Sequence, residues 1–260
     1  NDVLGAAIFA DTNRLTPSAD FERDFREVVR RLKEWTDPDG PTGSLKGADV
    51  IVSDIPDVTS IPHLFRVGEQ VGDLPFEVFR KIGFAGPLVN ITEQVEDFII
   101  PRGVRGRPGE EYPEGTLVPM GYLFIHFFWS GTDAEPNQDA FRVNEVLTPG
   151  VDLNGDGEFD GPGEFDDEIE EITQRTEQFN TIIRNVALVY NIPVVSDRDL
   201  LRSVDTSFAG GNFSFDGMHP SSRGHRLVAN EFIRKLNEVI LERGSFGKQN
   251  IPIDELTIDP

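Results

Sequence analysis

Apolar positions along the 260 residues fall into three helical stripes and two short β-branched runs. Phe21, Phe25, Val28, Val29 and Leu32 recur at three- and four-residue steps and predict a helix over residues 21–35. Ser18 or Asp20 is placed to cap it, its other face is Arg-rich, and the apolar stripe should rest on a sheet. Ile169, Ile172, Phe179, Ile182, Ile183, Val186 and Val189 mark a long amphipathic helix over 168–190. A third stripe, Leu227, Val228, Phe232, Ile233, Leu236, Val239 and Ile240, predicts a helix reaching about Leu241, with Ser221 or Ser222 capping its first turn. Residues 48–56 and 192–197 are short runs rich in Val and Ile, the composition of buried parallel strands, and the first ends at Pro56. Strand, helix, strand, helix in that order implies a parallel sheet layered between helices, an α/β fold. Asp37-Pro38-Asp39-Gly40-Pro41 reads as a loop, and the polar, Pro-containing stretch 244–260 as irregular.

Between about residues 62 and 165 the pattern fades into an insertion. Pro and Gly are frequent there, Arg102 to Arg107 form a basic loop beside Glu110 and Glu111, and the apolar stretch 117–129 suits a strand pair or a short helix. Composition then narrows the function classes. With 46 Asp and Glu against 24 Lys and Arg, the net charge of −22 excludes nucleic-acid phosphates and anionic membrane surfaces as natural partners. Only five of the basic residues are Lys, and an acidic, Lys-poor surface suits an extracytoplasmic setting: secreted, periplasmic or cell-surface. The absence of cysteine removes disulfides, thiolate metal sites and Cys nucleophiles. No apolar run reaches the roughly 18 residues of a transmembrane span.

The chemistry concentrates in Phe213-Ser214-Phe215-Asp216-Gly217-Met218-His219-Pro220-Ser221-Ser222-Arg223-Gly224-His225. An Asp three residues before a His, on a Gly-containing loop closed by Pro, can fold back so that its carboxylate accepts the imidazole Nδ1 proton and leaves Nε2 as a general base. The same four residues also suit a plain turn in which the Asp bonds local backbone and the His is merely solvated. His63 and His126 are read as structural.

This stretch resembles the last sequence block of the SGNH (GDSL) ester hydrolases, in which a D-x-x-H-P loop precedes the C-terminal helix. The resemblance implies that Asp216 orients and His219 acts as the base of a Ser-His-Asp triad. The opening Asn1-Asp2, followed by Val3-Leu4-Gly5-Ala6-Ala7, is similar to the family's G-x-N-D block and implies that Asn1 donates to the oxyanion. Residues 57–62 resemble the family's region where the fourth strand runs into "IPD" and receive no catalytic role. Ser44, in Thr42-Gly43-Ser44-Leu45, lacks a preceding buried strand and is rejected as the nucleophile.

On this resemblance, residues 1–260 form the C-terminal part of a single SGNH domain, a three-layer α/β/α sandwich with a flavodoxin-like parallel sheet. The sheet is incomplete without an N-terminal segment, which should carry the nucleophilic Ser and the oxyanion-hole Gly. In such an enzyme Phe124, Phe127, Phe128 and Trp129 of the insertion are candidates for substrate contact or a lid; otherwise they are local core.

A second signal lies in the insertion at residues 152–164. Asp152, Asn154 and Asp156 offer oxygens at positions 1, 3 and 5 of a calcium loop, Gly157 the sharp turn at position 6, and Phe159 an apolar residue at position 8. The end departs from the EF-hand pattern: Gly163 occupies position 12 and the acid arrives one residue later, as Glu164. Glu158, through its carbonyl, and Asp160 or Asp167 add to the expected Ca²⁺ donor set, with Ca²⁺ in a structural role. The competing reading is an acidic turn that caps the following helix.

Two functions from different classes follow. One is hydrolysis of a carboxylic ester, whose lipid, sugar or other small-molecule identity the sequence does not define. The other is a catalytically inactive, calcium-stabilised extracellular binding or structural protein on an SGNH-like fold. An N-terminal-nucleophile hydrolase is excluded because Asn1 has neither hydroxyl nor thiol.

Overall fold

The computed structural model describes residues 2–9, 11–34, 48–66, 116–119, 147, 168–206, 210–214, 216–247 and 249–258. Among them the chain is mixed helix and strand, in the order α1 (Asp2–Ile8), α2 (Ser18–Glu34), β1 (Val52–Ser53), β2 (Leu64–Arg66), β3 (Leu117–Pro119), α3 (Glu168–Val189), β4 (Val194–Val195), α4 (Asp197–Ser203) and α5 (Ser222–Arg243). The chain divides into two compact units, one of residues 1–15, 58–174 and 206–219, the other of 16–57, 175–205 and 220–260.

The second unit holds the parallel pair foreseen from the β-branched runs. β1 lies beside β4 with Val52 opposite Val194 and Ser53 opposite Val195. The ladder is shorter than the 48–56 run suggests. Val52 donates to the Pro193 carbonyl at 3.1 Å and Asp54 to the Val195 carbonyl at 3.0 Å, but Pro193 has no N–H to return a bond. Val29, Val50, Val186, Ala187 and Ile192 form the core around this pair. Phe21 of α2 stacks on Phe179 of α3 with ring centroids 4.0 Å apart.

The stripe expected on α2 is only partly used. Val29 is buried, while Val28 is 55% and Leu32 41% exposed. Adjacent helical residues are about 100° apart, so a core centred on Val29 leaves Val28 at its rim. Neither expected cap forms in the expected way. Ser18 lies inside the helix and donates its hydroxyl to Gln178, and Asp20 pairs with Arg23.

Asn180 is the polar anchor of this unit. Fully buried on α3, it accepts from the Ile55 N–H at 2.7 Å and donates to the Ile55 carbonyl at 2.8 Å, so both groups of the segment leaving β1 are paired. α3 ends on Asn191 in the left-handed conformation (φ 53°), and α5 on Gly244 (φ 82°), whose N–H donates to the Ile240 carbonyl. Beyond α5 the segment 249–258 is irregular, as its composition suggests, yet it is tied down. Asn230 and Asn237 each exchange two hydrogen bonds with the backbone N–H and carbonyl of one of its residues, Leu256 and Ile253 respectively. The guanidinium of Arg234 meets Glu255.

In the first unit, α1 buries Val3, Ala6 and Ala7 and packs against the tight turn Val58–Ser60. β2 and β3 pair antiparallel, with Phe65 opposite Val118, and Leu117 exchanges backbone hydrogen bonds with Leu147. Leu117 and Leu147 are fully buried there. No helix among the described residues is long and apolar enough to cross a membrane.

Candidate active site

The site is built on the turn from Ser214 to His219, within the first unit. Ser214 N–H donates to the His219 carbonyl at 2.8 Å and Gly217 N–H to the Ser214 carbonyl at 2.9 Å, which closes the loop on itself. Gly217 stands at its apex with φ 66°, a left-handed conformation in which a side chain would be strained.

Inside this turn the two oxygens of Asp216 have different tasks. Oδ1 accepts from the Ser214 hydroxyl at 2.5 Å, the Met218 N–H at 2.9 Å and the His219 N–H at 3.0 Å. Oδ2 accepts from the ring Nδ1 of His219 at 2.7 Å. A carboxylate can only accept, so Nδ1 carries the proton and Nε2 is the nitrogen left for chemistry. The His219 side chain is 74% exposed and that of Asp216 30%. Burial pushes the Asp216 carboxyl upward, but the Ser214 hydroxyl, the His219 N–H and ring, and the Met218 N–H outweigh it and hold the group well below its ordinary range. The carboxylate is therefore ionised at neutral pH, as an orienting partner for imidazole must be.

The helix that follows the loop is anchored where the sequence indicates. Ser221 caps α5, its Oγ accepting from the Gly224 N–H at 3.1 Å.

His63 meets the same turn from a distant part of the chain. It is 8% exposed, its Nδ1 lies 2.9 Å from the Asp216 carbonyl oxygen, and its N–H donates to the Gly217 carbonyl at 3.1 Å. Burial lowers the affinity of its ring for a second proton, opposed by the bond to the Asp216 carbonyl and by the Asp216 charge. His63, expected from the sequence to be structural, carries no sequence feature that links it to the Asp-His loop. Ser214 was also missed, although its place two residues before Asp216 is a recognisable signal for a hydroxyl that bonds the carboxylate.

Asn1 lies outside the described residues, as do Ser44, His126, the aromatic set Phe124, Phe127, Phe128 and Trp129, and the calcium-loop residues Asp152, Asn154, Asp156, Glu158, Asp160, Glu164 and Asp167. The structure thus brings together Asp216 and His219 from the expected constellation and adds Ser214 and His63.

A second group of acids occupies the other unit, at the junction of β1, β4 and α4. Asp54, buried, accepts from the Ser196 hydroxyl at 3.1 Å and the Arg198 N–H at 3.0 Å. Asp197 beside it is pushed upward by burial and by the charges of Asp54 and Glu231, with only the Ser53 hydroxyl opposing. A cavity of about 410 Å³ opens along β4, α4 and α5, lined by Asp199, Glu231, Arg234, Lys235 and Glu238 among others. Arg234 and Lys235 are both engaged by carboxylates, of Glu231 and Glu255 and of Glu238 respectively. Asp54, Arg234 and Lys235 are thus engaged within this group, whereas Asp197 Oδ1 is buried without a hydrogen-bond partner.

Compared with protein-family models, with curated proteins and with solved structures, the chain finds no match.

Proposed function

We propose that this chain carries the acid-base half of a serine ester hydrolase of SGNH type. The observation that carries the reading is the 2.7 Å bond from His219 Nδ1 to Asp216 Oδ2, with the ring largely in solvent and its carboxylate partner ionised. In this reading a serine hydroxyl from a segment outside these residues attacks the ester carbonyl carbon. His219 Nε2 takes its proton as the C–O bond forms and the carbonyl π electrons move onto oxygen. Collapse of the tetrahedral species expels the alcohol, which recovers the proton from Nε2, and water repeats the sequence on the acyl-enzyme. Asp216 keeps the imidazole in the required tautomer and stabilises the imidazolium, and Asn1 with a Gly from that same outside segment donates to the oxyanion.

The parallel pair β1 and β4 then belongs to a larger flavodoxin-like sheet in an α/β/α sandwich, and the substrate is a small-molecule, lipid or sugar ester. On donor chemistry, the loop from Asp152 to Glu164 is a structural Ca²⁺ site, and an extracytoplasmic location fits the acidic composition.

Treatment of the full-length protein with a fluorophosphonate ester probe tests the reading. A covalent adduct on one serine, lost in His219→Ala, is expected. An intact protein that forms no adduct would instead favour the inactive, calcium-stabilised binding protein.

A further inference from the structure

The peptide groups of the Asp216 turn are held at both ends, and the outer end is in each case His63. The Asp216–Gly217 peptide donates its N–H to the Ser214 carbonyl, while its oxygen accepts from His63 Nδ1 at 2.9 Å. The Gly217–Met218 peptide gives its N–H to Asp216 Oδ1 at 2.9 Å, while its oxygen accepts from the His63 N–H at 3.1 Å. A continuous line of donors and acceptors therefore runs from the His63 amide through one peptide plane to the Asp216 carboxylate. Each bond in such a chain polarises the next. Because the Asp216 carbonyl can only accept, His63 carries its proton on Nδ1. His63 itself immediately precedes β2, which is paired with β3, and it is buried, so both of its donors start from a fixed frame.

The geometry points to His63 as a positioning residue for the Asp216–His219 pair. We propose that it fixes the two peptide planes from which the carboxylate is aimed, and through them the bond that holds the His219 tautomer. It touches neither the His219 ring nor a reacting atom, so its action is indirect. For its kinetic consequence the inference rests on the ester-hydrolase reading; for its structural consequence it does not.

The test compares His63→Asn and His63→Leu in the full-length protein. The Asn amide nitrogen falls near the place of imidazole Nδ1 and keeps one donor, whereas Leu keeps the volume and removes it. Ester kcat in His63→Leu is expected to fall about 10- to 100-fold with KM unchanged, and His63→Asn to recover to within about threefold of wild type. In ¹⁵N-edited spectra the Nδ1-bound proton of His219 should be sharp in wild type and His63→Asn, and broadened by exchange in His63→Leu. If His63→Leu does not fold, His63→Gln takes its place, since its amide overshoots by one methylene and should show the same losses. Equal kcat and an equal His219 Nδ1 signal across the folded variants would overturn the proposal. A wild-type protein without esterase activity would refute the hydrolase reading alone, and the spectra would still decide the role of His63.

Discussion

Asp216 and Asp197 are both partly buried carboxyls close to the start of a helix, and their proton affinities are shifted in opposite directions. Burial is the largest influence on each and pushes each upward. Around Asp216 four donors converge, from Ser214, Met218 and, twice, His219, and the group is held well below its ordinary value. Asp197 has the Ser53 hydroxyl, an Oδ1 without a partner, and two further carboxylates, Asp54 and Glu231, adding to the upward push. Asp197 is the more deeply buried of the two and has the fewer donors, and both differences push its proton affinity the opposite way from that of Asp216. That distinction separates a carboxylate suited to orienting an imidazole from one that is a structural burden.

Four substitutions probe this contrast, and the largest effect belongs to the dyad. Asp216→Asn keeps an oxygen for the Met218 and His219 amides but presents an NH₂ to His219 Nδ1–H, which forces the wrong tautomer. Esterase kcat in the full-length protein should drop by about 10⁴-fold while the folded circular dichroism spectrum persists. Asn180→Leu removes a fully buried amide and with it the partner of the part-buried N–H and carbonyl of Ile55. Denaturant unfolding should show a loss of roughly 2–4 kcal/mol. Ser221→Ala strips one cap bond from α5 and should cost about 1 kcal/mol, read by the same titration.

Asp197→Asn is the smallest and has the opposite sign. An acid raised in the folded state favours the fold only while protonated, so its contribution declines as pH climbs above the ordinary value of 3.8. The amide variant should therefore raise Tm by about 1–2 °C at pH 7 and by nothing at pH 3. Asp216 has the reverse linkage. Its lowered carboxyl supplies stability that is present above its ordinary 3.8 and is lost as pH falls below that value. A Tm profile in which Asp216→Asn and Asp197→Asn shift in the same direction at pH 7 would break the comparison.

The same physics explains what was readable in the amino-acid sequence. α2, α3 and α5 are long enough for their apolar spacing to be unambiguous, and β1 and β4 are apolar runs whose parallel pairing follows from the helix between them. α4 was missed because Leu200 and Leu201 are the only large apolar residues in its seven, and its cap Ser196 and first residue Asp197 fall in the 192–197 run read as a strand. α1 was missed because Gly5 interrupts a run of small apolar residues too short to show a period. The Asp216–His219 contact spans three residues and is legible from their types alone. His63 reaches the same loop from 153 residues away and mainly through backbone carbonyls, which every residue possesses, so no side-chain pattern announces it.

Chemical rescue addresses the general-base role most directly. The exposed ring of His219 means that its removal opens a space free imidazole can enter. Full-length His219→Ala should lose fluorogenic short-chain ester hydrolysis and regain a measurable fraction of it in proportion to added imidazole, while Asp216→Asn gains nothing from the same addition. Hydrolysis by His219→Ala at the wild-type rate, without imidazole, would contradict the account.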